Sequence, residues 1–541
     1  METTKRWIFL AVFTTLSFTG WAQVNRYMVF FKDKTGTSFS VSQPLQFLSQ
    51  KAVDRRIRQG ISIFPEDIPV NASYVQGVKN TGAETFFTTR WMNGVLVQCQ
   101  GSLLPAIEAL SFVDHVEFVA PQPKLLHSGR RGFNLRKKNT QTGVKTQTQL
   151  QMLGIPQMHQ EGFKGEGMII AVFDGGFQGV NSAAAFQNIF SEGRFNDSAS
   201  HDFVRNTKNV FQYDDHGTNV FSVIAAEIPD EFTGGAYEAN FQLYVTEDGT
   251  SEYRIEEYNW LFAAERADSA GVDIVNSSLG YYDFDIPSMN YTTAQMDGRT
   301  TVVTRAAQLL ANRGVVVVCS AGNEGNIPSW RIISAPADAV DVIAVANVNS
   351  QGTVSSSSSI GPASDGRIKP DLAALGSGVT VVTPGGLTST ATGTSLSAPL
   401  ITALVAGVWQ YYPQLTSKEV IQVLKRTATR ASAPNNSMGY GIPNFKAVTN
   451  YIDRAPQTEL FEVYPTRVAD TVTVSPLDPD SVSSCRVELI SDQGQIIADD
   501  SVAFSWLNNV YRANLSALSA GFYYIRIWQG QKRYVFRVWK L

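Results

Sequence analysis

At 541 residues the chain exceeds what one compact core holds, and about 150 residues per domain suggests three or four units. A hydrophobic fraction of 43% with 17% charged residues excludes wholesale disorder, and 42 Gly without a strict period exclude collagen. A net charge of −4 gives no reason to expect nucleic acid as a partner, and three distant cysteines (Cys99, Cys319 and Cys485) exclude a local disulfide framework or CxxC metal site.

In chain order, Lys5 and Arg6 precede an uncharged apolar run from Trp7 to Phe18 and then Gly20-Trp21-Ala22. A positive start, a short apolar run and small residues before Gln23 are the parts of a secretory signal peptide, and the run is shorter than the ~20 residues a membrane span needs. No later run is long enough to span either. Tyr27–Phe31 predicts a strand, Pro44–Arg58 a helix, and Glu84–Arg90 with Gly94–Cys99 a hairpin; Leu103–Leu110 and Val116–Val119 predict a last helix and strand. That order fits a small ferredoxin-like α+β unit. A polar stretch follows with Lys124, Arg130, Arg131, Arg136, Lys137 and Lys138 and no acid, which predicts a solvated linker and an exposed cleavage site.

From about Gly154 to Val448, short apolar runs alternate with helical stretches. Met168–Phe173, Val272–Val275 and Val315–Cys319 predict buried parallel strands, and Asn219–Ala226, Tyr258–Ala270, Arg299–Arg313 and Ser395–Tyr411 predict helices. This is the βαβ pattern of a doubly wound α/β domain with a mostly parallel sheet. The Ser355–Ser359 run predicts an ordered strand or loop. After Asp453-Arg454-Ala455-Pro456 the texture turns to short strands, with Arg486–Ile490 one of them and Phe522–Trp528 pairing with Arg533–Trp539 in a small β-sandwich.

Three segments of the α/β region carry chemistry-bearing side chains. Asp174 ends a buried strand, at the edge where open α/β sheets place their sites. His216 opens a predicted helix, and so does Ser395, where backbone N–H groups favour developing negative charge. Taken singly, each has an ordinary structural explanation as a cap, a core histidine or a turn serine. Together they form a set. A serine hydroxyl becomes a nucleophile when a histidine takes its proton, and the imidazolium formed needs an oriented carboxylate. Asn323, just past the Val315–Cys319 strand, can aim its amide at an oxyanion.

The motifs Ala171-Val172-Phe173-Asp174-Gly175-Gly176, His216-Gly217-Thr218, Asn276-Ser277-Ser278-Leu279-Gly280, Ala321-Gly322-Asn323-Glu324-Gly325 and Gly393-Thr394-Ser395-Leu396-Ser397-Ala398-Pro399 stand in the order of a subtilisin-like serine protease, which the chain resembles over roughly 150–450. Ser358-Ser359-Ile360-Gly361-Pro362 and the stretch from Asp365 to Asp371 add to the likeness. The resemblance implies that Asp174 orients the base, His216 is the general base, Ser395 attacks the peptide carbonyl, and Asn323 with the Ser395 N–H holds the oxyanion. It implies that Ser278, Leu279 and Gly280 pair with an extended substrate and, with Ala321 and Gly322, border the pocket for the side chain before the scissile bond. No cofactor is needed for this catalysis; structural calcium is known in such folds, but no loop is acidic enough to assign it, so no metal ligand is named. Departures are Gly175 for the usual Ser, Asn219 for the second His, Ala374-Leu375-Gly376 for Ala-Pro-Gly, and Tyr281 where a small residue often follows. None of them is expected to touch a triad atom.

The flanks take roles by the same likeness. The unit before the catalytic domain resembles the family's inhibitory propeptide, an intramolecular partner. The terminal unit, with Val463-Tyr464-Pro465-Thr466, Asp492-Gln493-Gly494 and Leu518–Tyr524, resembles the C-terminal sorting domain of the type IX secretion system, which makes that machinery a partner and the location secreted or cell-surface. The expected division is a signal peptide at 1–22, a propeptide-like domain at 23–122, a basic linker with the processing site at 123–148, a catalytic domain at 149–452 and a β-rich sorting domain at 458–541. A peptide or protein is the expected substrate. Two other readings stay open: a non-catalytic surface protein that binds through this fold, and metal-dependent hydrolysis through Asp214, Asp215 and His216, for which no HExxH or Cys cluster exists.

Overall fold

A computed structural model describes residues 24–121, 145–454, 460–477, 485–497, 504–507, 510–530 and 532–541. The N-terminal apolar run and the basic residues between 124 and 138 lie outside the described residues.

The N-terminal unit runs from strand Val24–Phe31 through helices Gln50–Gln59 and Ala72–Lys79 to strands Glu84–Thr89 and Gly94–Gln100. It ends with helix Leu104–Glu108 and strand Val113–Ala120. Its sheet has the order Glu84–Thr89, Gly94–Gln100, Val24–Phe31, Val113–Ala120, all neighbours antiparallel, which is the ferredoxin-like arrangement. The helix expected over Pro44–Arg58 is split. Pro44–Gln46 is a 3-10 turn, and Ser49 then caps Gln50–Gln59 by accepting the Ala52 N–H at 3.2 Å. Helix Ala72–Lys79 is absent from the sequence reading because Gly77 interrupts its pattern; the ring of Phe112 lies 2.7 Å from where a Cβ would stand, so packing requires the glycine.

The central domain is built on seven parallel strands. Their order is Leu372–Leu375, Ile343–Val348, Val316–Ser320, Ile274–Ser277, Ile169–Asp174, Asn240–Val245 and His201–Asp202. Side chains alternate between faces, and both faces are buried. Ile170, Val172, Val316 and Val318 join the core that holds helices His216–Ala225 and Thr394–Tyr411. Ala171, Phe173, Val317 and Cys319 join the opposite core with helices Ile255–Ala270 and Val302–Asn312. The sheet is therefore doubly wound, as expected. Ser355–Ser359 forms a loop after an isolated bridge between Val348 and Val354.

The N-terminal sheet lies on this second layer of helices. Met28, Phe30 and Leu96 enter the central domain's core, while the alternate residues Tyr27, Val29, Val95 and Val97 pack within the unit itself. The charges at this junction are buried. Asp268, near the end of helix Ile255–Ala270, is fully buried and pairs with Arg55 at 2.5 Å, Arg56 at 2.9 Å and Arg90 at 2.6 Å. Asp67 of the N-terminal unit pairs with Arg313 of the central domain at 2.9 Å, and Glu265 accepts the backbone N–H groups of Arg90 and Trp91 at 2.9 and 3.1 Å. Burial alone would raise the Asp268 carboxyl; the guanidinium groups of Arg56, Arg55 and Arg90 outweigh it and hold it at about 2.

The C-terminal unit is a β-sandwich. One sheet has the order Phe461–Tyr464, Thr471–Pro476, Val510–Asn514, Ser505–Leu507, and the other Arg467–Val468, Lys532–Lys540, Gly521–Gln529, Cys485–Ser491. The expected hairpin forms, with Phe522 opposite Trp539 and Trp528 opposite Arg533. Its core is its own, with Val472, Val474, Ile525 and Phe536 among the members.

Asp268 should govern the docking of the N-terminal unit. Asp268→Ala strands three buried guanidinium groups, a loss of about 3–5 kcal/mol. Amide exchange in strand Gly94–Gln100 of the full chain should accelerate accordingly. Because the folded carboxyl is depressed below 3.8, its stabilisation is complete above that pH and is lost as the pH falls through about 2, so protection of this strand should decline in that window.

Candidate active site

Asp174 is the last residue of its strand and is fully buried. Its Oδ1 accepts the Gly175 N–H at 2.8 Å and lies 2.8 Å from His216 Nδ1. A carboxylate accepts only, so Nδ1 carries the imidazole proton and Nε2 is the basic nitrogen. His216 is the first residue of helix His216–Ala225, and Asp214 Oδ1 accepts its backbone N–H at 2.9 Å. Thr218 Oγ1 donates to Gln178 O at 2.7 Å, which ties the start of this helix to the loop after Asp174. Ser395 stands in the first turn of helix Thr394–Tyr411, which packs against the histidine's helix. It is 2% exposed, and its Oγ has no hydrogen-bond partner among the described residues.

Asn323 follows strand Val316–Ser320 and is exposed. Thr394 donates to its Oδ1 through the backbone N–H at 2.9 Å and through Oγ1 at 3.1 Å. A backbone N–H can only donate, so Oδ1 is fixed toward Thr394 and Nδ2 is the end left for another acceptor. Ser278 and Gly322 also attach to the serine turn. Ser278 Oγ donates to Ser395 O at 2.8 Å, and Thr394 Oγ1 lies 3.2 Å from Gly322 O. Behind Ser278, Thr402 Oγ1 donates to Asn276 Oδ1 at 2.9 Å and Asn276 Nδ2 to Ser278 Oγ at 3.1 Å, a buried chain from the helix to the strand end. Ser320 Oγ donates to Leu279 O at 3.3 Å, and Ala321 N–H to Val345 O at 3.0 Å. Thus Asp174 and His216 meet directly, while Ser278, Gly322 and Asn323 converge on the turn that carries Ser395.

Sequence reasoning missed Thr394, the Ser278 hydroxyl, Asn276, Thr402 and Asp214 as positioning groups. Thr394 and Asn276 sit inside the quoted motifs, which was the available signal; Thr402 had none. One expectation also needs correcting. Gly175 does touch a triad atom, through its N–H on Asp174 Oδ1. The Ser usual at 175 is disfavoured because a Cβ there would stand 2.8 Å from Asp214 Oδ2. Tyr281 donates its hydroxyl to Glu247, and Gly376 lies so close to the serine's helix that a Cβ would meet Ser397 Oγ at 2.2 Å.

Glu247, Glu252 and Glu256 bring carboxylate oxygens within 4.8 Å of one another beside Tyr281. Ca²⁺ takes six to eight oxygens. Glu247 and Glu256 accept hydrogen bonds from Thr246 Oγ1 at 3.0 Å and Asp248 N–H at 2.8 Å. Calcium is assigned no residue here.

Residues 165–441, half of the chain, match the model described as Subtilase family. The chain belongs to the subtilase family. Residues 26–134 of this subtilase match the Peptidase S8 propeptide domain, Bacteroidota, and residues 462–540 the Secretion system C-terminal sorting domain. The sorting domain marks a secreted or cell-surface protein, and among the described residues no helix is long and apolar enough to cross a membrane. Subtilisin NAT of Bacillus subtilis subsp. natto is 29% identical over 289 residues, 53% of this chain; the chain spans 66% of that protein's length. Subtilisin of Bacillus pumilus is 29% identical over 278 residues, 51% of this chain and 88% of its own. The epidermin leader peptide processing serine protease of Staphylococcus aureus shares the fold, with TM-score 0.55 at 14% identity over 80% of this chain and 99% of its own.

The Gly175 contact yields a test. Gly175→Ser should displace Asp214 from the His216 N–H and cost about 1–3 kcal/mol, seen as a melting temperature lowered by several degrees.

Proposed function

We propose that this subtilase is a secreted serine endopeptidase, made as a zymogen, that cleaves peptide bonds through Asp174, His216 and Ser395. The observations that carry the reading are the 2.8 Å contact of Asp174 with His216 Nδ1 at the sheet edge and, on the helix packed against the histidine's own, a buried Ser395 Oγ with no hydrogen-bond partner among the described residues. His216 Nε2 takes the hydroxyl proton as Ser395 Oγ attacks the substrate carbonyl, and the buried Asp174 stabilises the imidazolium. The tetrahedral oxyanion is held by Asn323 Nδ2 and the Ser395 N–H, which lies in a first helical turn where N–H groups lack intrahelical acceptors. His216 then protonates the leaving amine. Water, activated by the same nitrogen, hydrolyses the acyl ester on Ser395 and restores the enzyme.

An extended substrate would add alongside Ser278, Leu279 and Gly280 through main-chain hydrogen bonds. The N-terminal unit acts as inhibitor until cleavage within the basic linker, and the sorting domain engages the type IX secretion machinery. No cofactor is required. The binding-only alternative is not favoured, because all three triad side chains are present. The subtilisin names of the relatives support hydrolysis.

Ser395→Ala should leave the circular dichroism spectrum unchanged and abolish both peptide hydrolysis and fluorophosphonate labelling. Asn323→Ala should lower kcat by about 10²–10³. Processed, folded wild-type protein that resists the label would overturn the proposal.

A further inference from the structure

Alternation along a strand sorts side chains onto the two faces of a sheet. In the C-terminal unit, Ile525, Ile527, Phe536 and Val538 point into the sandwich. The opposite face of that sheet carries Tyr524, Arg526, Arg533 and Arg537, with Ile490 beside Tyr524 on the neighbouring strand. A free sandwich leaves such a face to water. Here Ile490 is 0%, Arg526 2% and Tyr524 4% exposed, so a further layer covers it.

The covering layer is the end of helix Thr394–Tyr411 and the turn that follows it. Tyr524 donates its hydroxyl to Tyr411 O at 2.5 Å, and Arg537 Nη1 donates to the Tyr411 hydroxyl at 2.5 Å. Arg533 Nη1 donates to Gln414 O at 3.1 Å, and its Nη2 pairs with Glu419. That carboxylate also accepts the Thr416 N–H at 2.7 Å and so caps helix Ser417–Thr427. The N-terminal unit reaches the same turn. Gln59, at the end of helix Gln50–Gln59, accepts the Ser417 N–H at 2.9 Å and donates to Gly314 O at 2.7 Å. The two outer units also meet each other. A Cβ on Gly494, whose φ is +78°, would stand 3.1 Å from Pro413 O and 3.2 Å from Arg58 Nη1. Both outer units therefore hold one segment, residues 411–419. Without Gln59 the Ser417 N–H loses its acceptor, and the turn that presents Gln414 O and Glu419 to Arg533 loses a tether. Two partners that order the same segment favour each other, and the effect is reciprocal.

We infer that the outer face of the C-terminal sheet is a docking surface for residues 411–419 of the catalytic domain, and that the N-terminal unit completes the junction, so that its removal loosens the C-terminal unit. The inference goes beyond the peptidase reading and does not depend on it. Once the junction loosens, Tyr524, Arg533 and Arg537 present their donors to solvent. The state of one end of the chain thus sets what the other end displays.

The test is amide exchange, read by mass spectrometry in strands Cys485–Ser491 and Gly521–Gln529. It uses the full chain with Ser395→Ala throughout, so that self-cleavage does not separate the units. Arg533→Glu combined with Tyr524→Phe should accelerate exchange in both strands about fivefold or more, and should lengthen the maximum dimension measured by X-ray scattering. Tyr524→Phe alone, which removes one hydroxyl and keeps the sandwich folded, should act in the same direction to a smaller extent. Arg58→Ala combined with Gln59→Ala should accelerate the same strands about fivefold, although neither residue belongs to that unit. Strand Thr471–Pro476 lies in the other sheet and should keep its rate, which separates undocking from unfolding. Unchanged exchange and dimension with Arg533→Glu and Tyr524→Phe overturn the docking surface. Loosening by those substitutions without any response to Arg58→Ala and Gln59→Ala overturns the coupling to the N-terminal unit.

Discussion

In a parallel sheet every strand ends at the same edge, so whatever follows a strand is delivered to one place. Here that geometry sets Asp174, at the end of Ile169–Asp174, beside Ser278, just past the neighbouring strand Ile274–Ser277. The next strand, Val316–Ser320, brings Ala321, Gly322 and Asn323 to the same edge. The chain builds outward on one side of Ile169–Asp174 with Asn240–Val245 and on the other with Ile274–Ser277, and the crevice opens where the two directions part. Helix Thr394–Tyr411 is brought there by the bond from Gly393 N–H to Gly376 O at 2.9 Å, at the end of strand Leu372–Leu375. The functional groups come from segments more than 200 residues apart in sequence, and the common strand direction assembles them.

Helix Ile255–Ala270 joins two different electrostatic regimes. Near its C-terminal end Asp268 is desolvated and compensated by three guanidinium groups. At its N-terminal end Glu256 stands with Glu247 and Glu252 near Tyr281. Glu257, fully buried between them, accepts the Tyr291 hydroxyl at 2.9 Å, and burial pushes its carboxyl up to about 7. One element thus anchors the N-terminal unit through paired charge at one end and joins a group of carboxylates at the other.

Much of this was legible because chemistry restricts residue type more tightly than folding does. Asp174, His216, Ser395 and Asn323 could be singled out because a nucleophile, a base, its carboxylate and an amide donor each tolerate few substitutes, and because three of them follow strands or open helices that apolar runs announce. Strands interrupted by polar residues were not legible. Asn240–Val245 contains Gln242, buried and accepting the Tyr244 hydroxyl at 2.8 Å; Ile343–Val348 contains buried Asn347; and Leu372–Leu375 has four residues. The oxygens of Gln242 and Asn347 accept from Tyr244 and Ser377 hydroxyls, partners that periodicity does not encode. The same holds for the groups that position the site: the bonds from Thr394 to Asn323 and from Thr402 to Asn276 join residues 71 and 126 positions apart. Nothing in the local pattern marks Arg55, Arg56 and Arg90 as buried, because what buries them is another unit of the chain.

The Asp268 cluster bears on what can occupy the face of helix Ile255–Ala270. Asp268 and Glu265 lie on a helix face that receives cations from the N-terminal unit. A foreign inhibitor with the same sheet but without guanidinium groups at the positions of Arg55, Arg56 and Arg90 would have to dehydrate those acids with nothing to offset them. Shape alone would admit many ferredoxin-like sheets, but the charges restrict entry to a sheet with the matching arginines. The cluster thus ties the N-terminal unit to helix Ile255–Ala270 by charge as well as by shape.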